Sequence, residues 1–344
     1  MTSPSVSVVI PFHNGSTWIE RALKSAASQT PPPKEIIVVD DGSIEAESAK
    51  LAVLKTKYSF EIYSQVNSGQ SAARNLGVSR ANSDFICFLD QDDYFLPNHI
   101  ELLIHASNLE DEKFGFSYGD LLRVTESGET LSRSSLTSPH PLMDTHAMVS
   151  QNMHILPSAT LIKRSAFLEV GGFDESLQGY EDDDLFLRFH LAGYTAVFIP
   201  EPVSAWTINR SSTSFSESMS RSRFLYFKKL LDTFTNRAGF ESDIFAKHLF
   251  PRFAYKFADD VIYSALNDKN NFEERKRRLK SFIQILKKDE GLNPETRQVY
   301  VLATWPLVFL APSILRAALG TLLLLKPVLG KLELGLLKNF FDRH

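Results

Sequence analysis

The sequence predicts an α/β fold: a mostly parallel sheet with helices on both faces, followed by an α-helical C-terminal region. Three features carry that expectation. Short, nearly continuous apolar runs alternate with helix-period segments through the first hundred residues, the rhythm of parallel strands joined by right-handed crossovers. Carboxylates cluster directly after two of those runs, at Asp40-Asp41 and at Asp90 to Asp93. Beyond about residue 215 the strand signals fade and helical spacing alone remains.

Val6 to Ile10 reads as a strand covered on both faces, because apolar residues fill it almost without alternation. Thr17-x-x-Glu20 has the form of a capping box, with Ile19, Ala22, Leu23, Ala26 and Ala27 following at helical spacing until Pro31-Pro32-Pro33. Ile36 to Val39 is a second buried strand, followed by a helix over about 44–57. Phe60 to Ser64 predicts a shorter strand, Ser71 to Ala81 a helix, and Asp84 to Leu89 a strong strand. Pro97 is placed to open the next helix at its first position. Residues 114–162 are less regular, and Ile155 to Ile162 is expected to return to the sheet. Glu181 to Leu191 has helical spacing, and Thr195 to Ile199 reads as a last strand before Pro200.

At 344 residues, 43% hydrophobic and 23% charged, the chain has an ordinary globular balance that excludes a disordered or fibrous protein. One large domain over 1–235 and a helical region over 236–344 are expected. The net charge of −4 excludes a generally basic nucleic-acid binder, so no nucleic-acid partner is expected. Cys87 is the only cysteine, which precludes an intrachain disulfide or a thiolate metal cage and suits a reducing compartment. Met1 to Ser5 lack the charged and apolar regions of a secretion signal. A cytoplasmic location is the expectation.

In open α/β sheets, ligands sit outside the carboxyl ends of the strands, where the two acidic clusters fall. Unpaired carboxylates are too costly to bury in a core, so these need solvent, hydrogen-bond donors or a cation. The motifs, in order, are Val8-Val9-Ile10-Pro11-Phe12-His13-Asn14, Val38-Val39-Asp40-Asp41-Gly42-Ser43, Ser71-Ala72-Ala73-Arg74-Asn75-Leu76-Gly77 and Phe88-Leu89-Asp90-Gln91-Asp92-Asp93. Gly171-Gly172-Phe173-Asp174-Glu175 and Gly179-Tyr180-Glu181-Asp182-Asp183-Asp184-Leu185 follow. Each alone is weak. Together, over about residues 5–215, they resemble family 2 glycosyltransferases of the Rossmann-like GT-A fold.

The resemblance implies an inverting enzyme that moves a sugar from a nucleotide-diphosphate donor, a UDP-sugar by expectation. It puts Asp41 against the imide N–H of the base, with the Pro11 backbone beside it; the bland alternative for the Asp pair is a cap on the helix after Gly42-Ser43. It assigns Asp92 to a bound Mg2+ or Mn2+, and Asp90 to the ribose or the metal. Such a cation, held by one or two carboxylates and the phosphates, offsets the charge of the departing diphosphate. Asp182 is the implied general base and Glu181 a contact to donor or acceptor sugar, although acids are also common in a first helical turn. Asp93 is expected to cap a helix or to back up the acid motif, and Asp184 to be structural. Arg74 and Asn75 could contact diphosphate or ribose; a surface salt bridge is the alternative for Arg74. Family members often carry a His where Asn209 stands, which leaves Asn209, Arg210 or Ser212 as its replacement in the metal or diphosphate shell. The Gln-x-x-Arg-Trp signature of processive synthases is missing, which favours one sugar per encounter.

Val299 to Leu325 spans 27 residues with Arg316 as its only full charge, the length of a membrane span. Pro306, Pro312 and Arg316 make a lipid-embedded helix costly. Residues 297–344 carry a net +4, leaving −8 for the rest. Broken helices lying on an anionic membrane suit that pattern, and a helical subdomain packed on protein is the alternative. Arg275-Lys276-Arg277-Arg278, beside the stripe Leu279, Phe282, Ile283 and Leu286, reads as a solvated charged face. The expected acceptor is a hydroxyl of a glycan or lipid-linked sugar in surface polysaccharide synthesis. Two rivals are a nucleotidyltransferase, which would need a Gly-rich basic phosphate loop that Pro11 to Asn14 does not form, and a non-catalytic nucleotide-sugar or glycan-binding scaffold at the membrane.

Overall fold

The structure, a computed structural model, describes residues 4–107, 109–134, 140, 144–208, 216–235 and 244–315. The described residues divide into two compact units: those up to 148 with 152–208, and 149–151 with those from 216 onward.

In the first unit, β1 (Val6–Phe12), β2 (Glu35–Asp41), β3 (Glu61–Gln65) and β4 (Phe85–Phe88) run parallel in the order β3-β2-β1-β4. Val8, Val9, Ile10 and Phe12 are wholly buried, as expected of strands covered on both faces. The register pairs Pro11 with Val39 and Phe12 with Asp40, so β1 and β2 end level and deliver Pro11 and Asp41 to the same edge. The crossovers carry α1 (Ile19–Ala27), α2 (Glu45–Val53) and α3 (Gln70–Arg80). Thr17 does not cap α1. Trp18 takes the N-cap position, and the Gly15 carbonyl closes the turn on the Trp18 and Ile19 N–H groups at 2.9 and 3.1 Å. Gly77 lets α3 lie against β1, since a Cβ there would stand 2.3 Å from Val9 Cγ1.

The sheet continues through β5 (Tyr94–Phe95), β6 (Phe114–Val124), β7 (Thr130–Ser134), β8 (Thr160–Lys163) and β9 (Thr195–Thr207). Its full order is β3-β2-β1-β4-β8-β6-β9-β5, with β7 paired to β6. Strand β8 is antiparallel to β4 and β6, while β9 is parallel to β6. The helices here are α4 (His99–Ala106), α5 (Thr145–Ser150), α6 (Arg164–Glu169) and α7 (Glu181–Leu191). The expectation that Pro200 ends the last strand fails. The register slips between Gly119 and Asp120 and again before Leu121, with Asp120 facing Pro202 and Leu121 facing Ser204. That bulge takes up Pro200 where no ladder N–H is required, and β9 runs on to Thr207.

The second unit contains α8 (Glu217–Thr235), α9 (Phe250–Asn267), α10 (Phe272–Lys288) and α11 (Pro294–Phe309). Phe227, Phe253, Phe257 and Phe282 form its centre, with Phe227 and Phe282 ring centroids 5.2 Å apart and Phe257 and Phe282 at 4.9 Å. The solvated-face expectation for α10 fails at two of four bases, because Arg275 and Arg278 are buried. Arg275 reaches Glu217 and Asp268, each at 3.2 Å, and Arg278 pairs with Glu217. Helix α11 continues through Pro306. No described helix is long and apolar enough to cross a membrane. The greasy tail from Arg316 onward, with Lys326, Lys331 and Lys338, lies outside the described residues.

Candidate active site

The two aspartates ending β2 divide their work. Asp40 Oδ1 accepts from the Ser43 N–H at 3.0 Å and its Oδ2 from the Ser48 hydroxyl at 2.5 Å, so Asp40 holds the turn into α2. Asp41 faces the next loop: Oδ1 accepts from Gln65 Nε2 and the Ser68 N–H, Oδ2 from the Gly69 N–H, all at 2.8 Å. A carboxylate has about four acceptor sites, so one remains. The His13 ring packs over this corner, with Nδ1 2.9 Å from the Asp41 carbonyl.

Gly69 leads directly into α3, whose first two turns carry the acid motif's partners. Gln70 Nε2 donates to Asp90 Oδ1 at 2.7 Å, and Arg74 Nη2 donates to the same oxygen at 2.6 Å. The other arm of Arg74 reaches Glu181 Oε1 at 3.1 Å. Arg74 is 1% exposed and lies over the Phe173 ring, 5.1 Å from its centroid. Burial alone would lower its pKa, but Asp90 and Glu181 outweigh that and hold it above its usual value. The separate N–H groups of the planar fork serve the two carboxylates at once, a geometry the single ammonium of a lysine does not reproduce.

Asp92 is half-buried in the turn between β4 and β5, with its backbone fixed from two sides. Its carbonyl accepts from Arg21 Nη2 at 2.6 Å and from the Thr207 hydroxyl at 2.5 Å. Gln91 returns its amide to the first motif, accepting the His13 N–H at 2.9 Å and donating to the His13 carbonyl at 3.3 Å. Asp93 is buried and ties β9 to this corner through the Thr207 N–H at 2.9 Å. Arg21, Gln70, Gln91 and Thr207 were not singled out in the sequence. Gln70 and Gln91 could have been found by adjacency to motifs, whereas Arg21 sits on a helix face and Thr207 beyond a proline.

The Gly-Gly-Phe loop is held rigidly. Asn75 helps to hold it, accepting the Phe173 N–H and donating to the Phe173 carbonyl, both at 2.9 Å, and donating to Glu175 Oε1 at 3.0 Å. Arg188 Nη2 donates to the Gly172 carbonyl at 2.6 Å and its Nε to Asp184 Oδ2 at 2.8 Å, which makes Asp184 a support. Tyr180, at φ 63°, turns the chain sharply into α7, where Glu181 meets Arg74 and Asp182 Oδ1 accepts the Asp183 N–H at 2.8 Å. Asp183 turns inward to accept the Met153 N–H at 2.9 Å. Burial first, then the Asp183 and Glu181 carboxylates, hold the Asp182 carboxyl well above the usual carboxylate range.

A continuous line thus runs from Asp41 through Gly69 and Gln70 to Asp90, and through Arg74 to Glu181 beside Asp182. No three His, Cys, Asp or Glu side chains among the described residues could cage a metal. Asp90 and Asp92 supply hard oxygens, which fit Mg2+ or Mn2+ completed by phosphate and water and do not fit a structural zinc. Asn209, Arg210 and Ser212 lie outside the described residues.

The sequence model of "Glycosyl transferase family 2" matches residues 7–171. A glycosyltransferase of Bacillus subtilis is 31% identical over 186 residues, which cover 53% of this chain and 67% of that protein. One from Rickettsia felis is 29% identical over 193 residues, covering 54% of this chain. The chain spans 31% of the length of that relative and 30% of its Rickettsia conorii counterpart. Among solved structures, Staphylococcus aureus TarS 1–349 aligns with a TM-score of 0.61 at 18% identity, over 92% of this chain and 91% of that one. Its complex with UDP-GlcNAc aligns at 0.59 and 17% identity, over 92% of each chain. The likeness is one of fold, GT-A with a helical C-terminal region.

Proposed function

The chain belongs to glycosyltransferase family 2, and from that premise we propose that it moves a sugar from a UDP-sugar to a hydroxyl of a glycan or lipid-linked acceptor, with inversion, in surface polysaccharide synthesis. The observation that carries the reading is the Arg74 bridge, which ties the acid motif at Asp90 to Glu181, next to the raised carboxyl of Asp182. TarS, similar in fold, binds UDP and UDP-GlcNAc, which motivates the choice of uridine.

Asp41 offers its remaining acceptor site to the imide N–H of the base, with the Pro11 backbone alongside. Asp90 contacts the ribose, and Arg74 adds positive charge where the diphosphate lies. Asp92, with Asp90, would hold Mg2+ or Mn2+, which when bound offsets the charge gathering on the departing diphosphate. Glu181 orients the sugar hydroxyls. Asp182 takes the acceptor proton on the face opposite the leaving group, and its raised pKa makes it the stronger base once ionised. The protein works at the cytoplasmic face, in peripheral contact with an anionic membrane that presents the acceptor.

The test is a panel of nucleotide sugars with Mn2+, read by thermal shift and by slow release of the free nucleotide. A bound native-state ligand raises the melting temperature, and the expected outcome is one UDP-sugar that both shifts and hydrolyses. A panel with neither shift nor hydrolysis would overturn the reading.

A further inference from the structure

Helix α11 has an unusual outward side. Val299, Leu302, Trp305 and Phe309 recur at helical spacing, and all are exposed, Leu302 by 63% and Phe309 by 64%. Ile314 is exposed just beyond. No charged residue occurs between Arg297 and Arg316, so this side has neither the burial of a core helix nor the charge of a solvated one. Trp305 and Phe309 lie against each other at 5.2 Å between centroids. Between α10 and α11 runs a groove of about 440 Å3, floored by Ile283, Val301 and Val308 and edged by Lys280 and Lys287. These lysines are two helical turns apart and exposed.

We propose that this face of the helical unit, the Val299-Leu302-Trp305-Phe309 row with Lys280 and Lys287 along its edge, docks on an anionic lipid bilayer. An apolar row with a tryptophan and bordering lysines matches the acyl boundary and phosphates of such a surface. Charge separates this occupant from two others. The chain's own residues 316–344 carry five Lys or Arg against two acids, a poor match for a lysine-edged groove. A second copy stacked on the same patch would bring like lysines together. The inference deepens the proposed membrane-side acceptor and rests on it for its purpose, but its test is independent.

The full chain is floated with vesicles of phosphatidylcholine alone and of phosphatidylcholine mixed with phosphatidylglycerol. It is expected to float with the mixed vesicles. Leu302→Glu with Trp305→Glu lowers that partitioning roughly tenfold or more, and Lys280→Gln or Lys287→Gln lowers it about fivefold each, while phosphatidylcholine binding stays weak throughout. Three results overturn the proposal: no flotation of the wild type, flotation unchanged by the Leu302 and Trp305 changes, or a dimer in sedimentation that those changes dissolve. UDP release is measured on every variant. Its retention alongside lost flotation confirms a folded enzyme, and its absence from the wild type counts against the sugar-transfer reading alone.

Discussion

Arg74 and Glu181 are 107 residues apart in the chain and 3.1 Å apart in space. The guanidinium that joins them is shared with Asp90 at 2.6 Å and is almost fully out of solvent. Removing one member of a buried pair leaves the rest uncompensated, at a typical cost of about 3–5 kcal/mol. Asp90 retains 25% side-chain exposure and Glu181 13%, which places Arg74→Ala toward the lower figure, about 3 kcal/mol. Arg74→Lys keeps the charge and loses the fork that holds both carboxylates in place, so it is expected to fold and to lose donor affinity. Urea unfolding with nucleotide-sugar titration checks both; a lysine variant with normal affinity removes Arg74 from the site.

Gly172 adopts φ +68°, and a Cβ there would stand 2.7 Å from Asn75 Oδ1. Gly172→Ala therefore combines left-handed backbone strain with displacement of the amide that holds Phe173, and destabilises by about 1–3 kcal/mol. Asn75→Ala in the same background should recover part of that loss by making room. Denaturant melts of the two single variants and the double variant decide it. Additive costs would mean the two residues are uncoupled.

In its proposed role Asp182 can take a proton only when ionised. Its carboxyl is held high by burial and by Asp183 and Glu181, so activity is lost as pH falls through a value above the ordinary aspartate figure of about 3.9. Asp183→Asn keeps an acceptor for the Met153 N–H and removes one like charge, which moves the acid limb of kcat downward. Asp182→Asn abolishes the limb and costs about 10²–10⁴-fold in kcat, with donor affinity within about threefold. An unchanged limb in the Asp183 variant, or normal turnover in the Asp182 variant, assigns the base elsewhere.

Much of this site was legible because strand ends advertise themselves: an apolar run stopping at Asp41 or at Asp90 has no other place for its acids than the sheet edge. Helix α7 was equally clear, running Glu181–Leu191 as its spacing implied. What stayed hidden depends on distant partners. Arg275 and Arg278 look like a solvated face until Glu217, about sixty residues earlier, comes to meet them. Pro200 looks like a strand end because local sequence cannot reveal the bulge opposite it at Asp120. Nor does periodicity distinguish Asp40, which holds its own turn, from Asp41, which holds the next loop.

His99 offers a test of the fold apart from the chemistry. It is fully buried in α4, stacked on Phe95 at 3.7 Å between centroids, and its Nδ1–H donates to the Val203 carbonyl at 3.0 Å. Burial pulls its pKa down to about 3, far below the ordinary histidine value of about 6.5. The native ring therefore stays neutral where the unfolded chain binds a proton. Stability from this group is full above about pH 6.5 and is lost as pH falls toward 3, at about 1.4 kcal/mol per pH unit, or about 2 kcal/mol between pH 6.5 and 5. His99→Gln keeps an N–H for Val203 and cannot titrate, so its unfolding free energy should drop less than that of the wild type between pH 7.5 and 5, by about that amount. Urea unfolding at the two pH values measures the difference. Equal drops would mean that His99 gains its proton in the native state as readily as in the unfolded one, and the packing of α4 on β9 would then be looser than these contacts imply.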